Sequence, residues 1–276
     1  MHRLTAQAAN ALLAQRISSI NAISAICEAT GANVYEVADA CGVDRRIGPH
    51  FLRASVGFGG SCFQKDILNL VYLSGSLGLP EVAEYWRQVI VMNEFSKARF
   101  AKKVVQTLFN TVTAKRLALL GFAFKKDTGD TVRGPTNAAR VASHHAVQAL
   151  PPGGCAHCDL RPQGEARANL PRPHRAGGHG RPQGRYVRAP CSRAVEEAVT
   201  VCPSVLDACH DAEAVVIATD WDEFSAIDWY KVFNIMRKPA VVFDGRRVVD
   251  PAKLREIGFR VHAVGVGPEM QDNVWV

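Results

Sequence analysis

Nothing in this 276-residue chain is apolar for long: no run reaches the ~18 residues that a membrane-spanning helix needs. Met1 to Gln15 also lack the apolar block and small-residue cleavage site of a secretory signal. No membrane partner is expected, and the eight cysteines (27, 41, 62, 155, 158, 191, 202 and 209) read as reduced thiols of the cytoplasm, not a disulfide framework. Residues 132–190 lack Ile, Phe, Trp, Met and Lys altogether, and hold eight prolines and eight glycines. Such a stretch is not expected to supply the middle strands of a sheet, although a helix over 136–150 stays open. Acid is scarce there too, with nine arginines facing only Asp159 and Glu165. That surplus of seven equals the formal charge of the whole chain, so the remainder is electrically neutral. Tyr186 is the segment's only aromatic residue, so it lacks the stacking partners of a nucleic-acid surface, and no nucleic-acid partner is expected. Cys155-Ala156-His157-Cys158 has no second pair at zinc-site spacing, so no metal is expected.

A further absence concerns glycine. The Gly-x-Gly-x-x-Gly spacing of a dinucleotide-binding turn occurs nowhere in the 276 residues, and Gly57-Phe58-Gly59-Gly60-Ser61-Cys62 breaks it at its last position. That stretch nevertheless carries the chain's most concentrated chemistry. Apolar residues at Phe63, Ile67, Leu70 and Val71 have helical spacing, which places Cys62 at a helix N-terminus. The unpaired amides and the macrodipole there favour an anion, the thiolate form of the cysteine. Asp66 follows one turn later. A thiolate nucleophile with a nearby carboxylate is one reading, and a buried apolar cysteine beside a glycine turn is the other.

The chain before Thr113 reads as helices. Leu13, Ile17, Ile20, Ser24 and Cys27 predict a helix over 8–29, and Asn33 with Glu36 has capping-box spacing ahead of a segment that Gly42 can close. Pro80 opens a run of nearly thirty residues through Val82, Trp86, Val89, Asn93, Phe100, Val104 and Leu108, suited either to a core or to a subunit interface. Beyond Thr113 the pattern becomes short apolar runs at 117–120, 214–218, 240–243 and 261–264, the signature of buried parallel strands in an α/β domain. Lys125 and Arg246 or Arg247 follow such runs, where open sheets bind ligands, and suit a phosphate or carboxylate.

Six blocks then carry a resemblance: Ala8 to Ala11, Gln15 to Asn21, Gly57 to Asp66, Phe109 to Thr113, Gly121 to Asp130 and Phe243 to Val248. In this order they resemble the animal UDP-glucose 6-dehydrogenases of the UDP-glucose/GDP-mannose dehydrogenase family. The resemblance implies a central all-helical dimerisation domain over 1–112. It also implies a Rossmann-like UDP-binding α/β domain over 113–265, interrupted by the atypical segment 132–190, and a tail over 266–276. It implies NAD-dependent oxidation of UDP-glucose to UDP-glucuronate by two hydride transfers, through a thiohemiacetal and a thioester on a cysteine. Cys62 matches that nucleophile, and Asp66 and Asn10 match polar residues around the thiol. Arg53, Ala54, Ser55, Val56, Gly57, Phe58 and Gly59 match the loop along the sugar nucleotide, while Phe124, Lys125 and Arg246 match contacts to uridine and substrate. Arg46 matches an arginine reaching a neighbouring subunit's substrate, so a homo-oligomer joined through the helical domain is implied. Toward NAD the resemblance points to Cys62 and Arg133.

There are departures. The family's catalytic lysine position, four residues before Asn10, is Ala6, and the NAD-binding domain is not among these residues. The implied polypeptide is therefore inactive alone, or a non-catalytic subunit that pairs with full-length enzyme. Resemblance stops near Val132 and resumes near Ala194, the pattern that translation in a shifted reading frame produces.

Overall fold

The computed structural model describes residues 2–59, 61–112, 115–121, 186–190 and 200–267. Four helices come first: α1 (His2–Thr30), α2 (Val34–Val43), α3 (Ser61–Ser76) and α4 (Pro80–Thr107). The buried line of α1 is Ala11, Ala14, Ser18, Asn21, Ser24 and Cys27, with Ile20 beside it; of the residues that periodicity marks, Ile20, Ser24 and Cys27 are buried, while Leu13 and Ile17 are half-buried. Small side chains let α3 and α4 approach closely, and the buried polar ones reach backbone or side-chain groups of their neighbours, as Ser18 Oγ does at Val89 O (2.8 Å). Asn33 caps α2 by accepting from Tyr35 N. Its Nδ2 donates to Glu36 Oε1 at 3.1 Å, so the pair meets side chain to side chain; the asparagine amide donates from its nitrogen while its oxygen caps the helix. Gly42 does not end α2, which runs on to Val43.

The second half is a six-stranded sheet: β1 (Arg116–Leu120), β2 (Tyr186–Pro190), β3 (Thr200–Val201), β4 (Ala214–Ile217), β5 (Val241–Asp244) and β6 (Arg260–Ala263), in the order β3-β2-β1-β4-β5-β6. The four runs expected to be parallel are so: β1 pairs β4, β4 pairs β5 and β5 pairs β6, all in parallel. Residues 132–190 do contribute an inner strand, contrary to the compositional expectation, since β2 lies between β3 and β1 and is antiparallel to both. The glycines and prolines stop at Gly184, leaving Tyr186 to Ala189 free of breakers, and Pro190 comes last in the strand, where a missing N–H is tolerated. The helix weighed over 136–150 and the Cys155–Cys158 pair lie outside the described residues.

Alternation along the strands gives the sheet two apolar faces. Leu119, Val216 and Phe243 pack with Ile20, Tyr35, Phe100 and Val104 of the helices in one continuous core. Leu120, Val215, Val242 and Val261 pack on the other face with α5 (Val205–Cys209), α6 (Trp229–Ile235) and α7 (Pro251–Ile257). Burying one such side chain contributes about 1.5–3 kcal/mol, so the shared face holds the helices against the sheet. A third cluster, Ala11, Ala14, Phe58, Ile67, Leu70 and Val89, joins α1, α3 and α4 around the start of α3. Val266 bridges to Asn33, which ties the exit from β6 back onto the helical half.

Candidate active site at the cysteine loop

The loop leading into α3 is held amide by amide from three sides. Ser55 N donates to Asn21 Oδ1 of α1 at 2.8 Å, and Val56 N donates to Gly245 O just beyond β5 at 3.0 Å. Gly57 N donates to Ser55 Oγ at 3.3 Å, and Phe58 N donates to Asn93 Oδ1 of α4 at 2.8 Å. Asn93 completes a two-point grip by donating Nδ2 to Phe58 O at 3.0 Å. Ala54, Ser55, Val56 and Phe58 are all buried. Gly57 sits at φ +121°, and a Cβ there would lie 2.6 Å from Asn93 Oδ1, so the position accepts only glycine. At Gly245 a Cβ would lie 2.4 Å from Val56 Cγ1, which is what lets strand and loop touch.

Cys62 stands in the first turn of α3 and is exposed, while Asp66, one turn on, is buried. Asn10 reaches across from α1 and donates Nδ2 to Asp66 Oδ2 at 2.7 Å. The structure thus brings two of the three residues picked around the thiol into direct contact, and sets the third on the same helix. Ala6 occupies α1 one turn before Asn10.

Arg53 and Arg246 meet in a cleft of about 450 Å³ between the helical half and the sheet, lined also by Tyr35, Asp39, Leu52 and Arg247. Its shape comes from the turn after β5. The buried Asp244 carboxylate accepts from Arg246 N (2.9 Å), Val248 N (2.8 Å) and Val249 N (3.0 Å). Burial raises its pKa above the usual carboxylate range, with those backbone bonds opposing. Arg246 Nε donates to Ala218 O at 3.0 Å, and burial lowers the Arg246 pKa while Asp220 opposes. Arg247 stacks its guanidinium 3.7 Å from the Tyr35 ring centroid. Arg46 lies apart, exposed and paired with Asp44 at 2.6 Å. Phe124, Lys125 and Arg133 lie outside the described residues.

Sequence reasoning passed over Asn21, Asn93 and Tyr35, and named Arg247 only as an alternative to Arg246. Asn93 did leave a trace, as a polar residue at a core position of an apolar helix stripe. Tyr35 and Arg247 are brought together only by the fold.

Arg53, Arg246 and Arg247 make the cleft basic, which suits an anionic ligand. The strand ends lead into Gly121, into Thr219-Asp220-Trp221 and into Gly245-Arg246-Arg247; among the described residues none is a glycine-rich turn that opens a helix onto a pyrophosphate. Among the described residues no three His, Cys, Asp or Glu side chains converge as a metal site would need, and no helix is long and apolar enough to cross a membrane.

Comparison with known proteins agrees with this layout. The chain is 51% identical over 262 residues to UDP-glucose 6-dehydrogenase 3 of Oryza sativa subsp. japonica, covering 95% of this chain and 53% of that protein. It is 48% identical over 265 residues to UDP-glucose 6-dehydrogenase of Drosophila melanogaster, covering 95% and 52%. The plant protein thus stands at least as near as the animal one, and the chain spans about half the length of the curated relatives it matches. Among solved structures it is similar to a UDP-glucose dehydrogenase from the hyperthermophilic archaeon Pyrobaculum islandicum, with TM-score 0.64 at 25% identity, over 96% of this chain and 50% of that one. Residues 3–95 match the central domain of the UDP-glucose/GDP-mannose dehydrogenase family, and residues 184–251 match its UDP-binding domain, so resemblance resumes at Gly184 and takes in β2. With more than half of its residues matched by two domains of one family, in family order, the chain belongs to the UDP-glucose/GDP-mannose dehydrogenase family.

Proposed function

We propose that this chain carries the sugar-nucleotide half of a UDP-glucose 6-dehydrogenase. The observation behind this reading is the junction itself: one buried loop touches both halves of the fold, with Cys62 beyond its end and Arg53 and Arg246 in one cleft near its start. The arginines suit the diphosphate. The Cys62 sulfur adds to the C6 aldehyde of the substrate; a C–S bond forms, the carbonyl oxygen takes up a proton, and a thiohemiacetal results. NAD is the hydride acceptor at the level of the family, and no step is assigned to it here. In the last step water adds to a Cys62 thioester, the C–S bond breaks, and the thiol returns as the acid leaves. Asn10 fixes one oxygen of Asp66 and thereby orients the other toward that water. Isothermal titration of the chain with UDP-glucose tests the reading. Saturable binding that UDP competes for, and that weakens about tenfold or more in Arg246→Ala, supports it; a wild-type chain that does not bind overturns it.

A second reading is a non-catalytic subunit that pairs with full-length enzyme through its helices. Exposed Leu68, Tyr72, Leu77 and Tyr85 along α3 and α4 favour it. Co-purification with an intact subunit, weakened by Tyr72→Lys, is the expected result.

A further inference from the structure

Asn93 is almost fully buried, at 2% exposure, midway along α4. Ile90, Asn93, Glu94 and Lys97, spaced along one side of that helix, line a small cavity whose opposite wall is Phe58, Gly59 and Gln64. Both hydrogen-bonding atoms of the Asn93 amide go to a single residue, accepting from Phe58 N and donating to Phe58 O. A buried asparagine on an apolar stripe carries a desolvation penalty that such a grip offsets, so the residue type is tied to that contact. Phe58 passes the constraint on: its ring packs edge-on against Phe63, with centroids 5.6 Å apart and planes at 88°. Phe63 is the residue after Cys62, in the first turn of α3.

We propose that Asn93 is a positioning residue for Cys62, acting through the Phe58 backbone and the Phe58–Phe63 ring contact. It touches no reacting atom. It keeps the first turn of α3 formed, with its amides aligned behind the sulfur, before any ligand arrives. The inference rests on Cys62 as the reacting thiol, and its test needs no substrate.

The test is alkylation of the full chain by iodoacetamide at one pH, resolved by peptide mass spectrometry, with Cys41 as the reference within each molecule. In Asn93→Leu, which removes both hydrogen bonds at similar volume, the Cys62-to-Cys41 rate ratio falls about fivefold as the turn frays. Asn93→Asp keeps the acceptor for Phe58 N and gives a smaller fall. Gly57→Ala, which drives a Cβ against Asn93 Oδ1, lowers the ratio by disturbing the same grip from the other side. If Asn93→Leu fails to fold by circular dichroism, Asn93→Asp and Gly57→Ala decide. A ratio that is unchanged or raised overturns the inference, as does parallel acceleration of Cys62, Cys41 and the buried Cys27, the mark of a merely structural residue. Failure to bind UDP-glucose would instead overturn the functional reading and leave the ratio to decide this one.

Discussion

Asn10 and Asp66, on two different helices, meet at 2.7 Å, with the amide Nδ2 donating to a carboxylate that is buried. A buried carboxylate stripped of its donor keeps its desolvation cost and loses the compensating bond. Asn10→Ala is therefore expected to destabilise the fold by about 1–3 kcal/mol, read as a lower urea midpoint at unchanged slope. An Asn10→Ala chain as stable as wild type would show that the bond contributes nothing.

Tyr35 supplies a pH signature at the seam between helices and sheet. Burial is the main reason that its pKa is raised to about 12; the nearby Asp244 adds to the rise and Arg247 opposes it. In the unfolded chain a tyrosine ionises near ~10. The raised folded value means that the native state holds the phenol proton longer, so this stability is complete below the unfolded value. It falls away as pH climbs from there through about 12. Tyr35→Phe removes the effect: thermal melts of the two proteins across the alkaline range should show wild type losing ground relative to the variant. Equal alkaline slopes would refute the assignment.

Gly245 is a point where the two halves leave no room for a side chain. Alanine there places Cβ 2.4 Å from Val56 Cγ1 and 2.8 Å from Ile217 O. Either the strand end or the loop must move, at a cost of about 1–3 kcal/mol. The Val56 N to Gly245 O bond lies at the same spot, so Gly245→Ala is expected to weaken UDP-glucose binding along with stability. Titration and melting of the same preparation check both, and a variant that binds normally would separate the seam from the site.

The polypeptide of these 276 residues, mixed with UDP-glucose and NAD, is expected to form no NADH, because none of its described residues builds a dinucleotide turn. Absorbance at the nicotinamide band is the readout, and sustained NADH formation would overturn the expectation.

Much of the fold was legible from periodicity. The start of α4 at Pro80, the helix after the glycines and four parallel strands follow from apolar spacing and helix punctuation, which are local. Only the first part of the α1 face differs, and for another reason: packing selected Ala11, Ala14 and Ser18 over Leu13 and Ile17, because neighbouring helices come close there. β2 was hidden by the composition of the segment around it, since averaging over many residues conceals five that form a strand. In the site, Cys62 and Asp66 were marked by type and spacing, and Asn10 by the family resemblance alone. Asn21, Asn93 and the Tyr35–Arg247 stack act through backbone contacts and long-range closure, which no spacing rule reaches.

The four successive amides of Ser55 to Phe58, each engaged by a protein acceptor, leave that stretch of main chain no N–H to offer an anion. Carbonyl oxygens attract hydroxyl groups and repel phosphate. The cleft with Arg53 and Arg246 has the opposite polarity. Positive charge at this junction therefore sits in the cleft, on Arg53, Arg246 and Arg247, and not on the main chain of the loop.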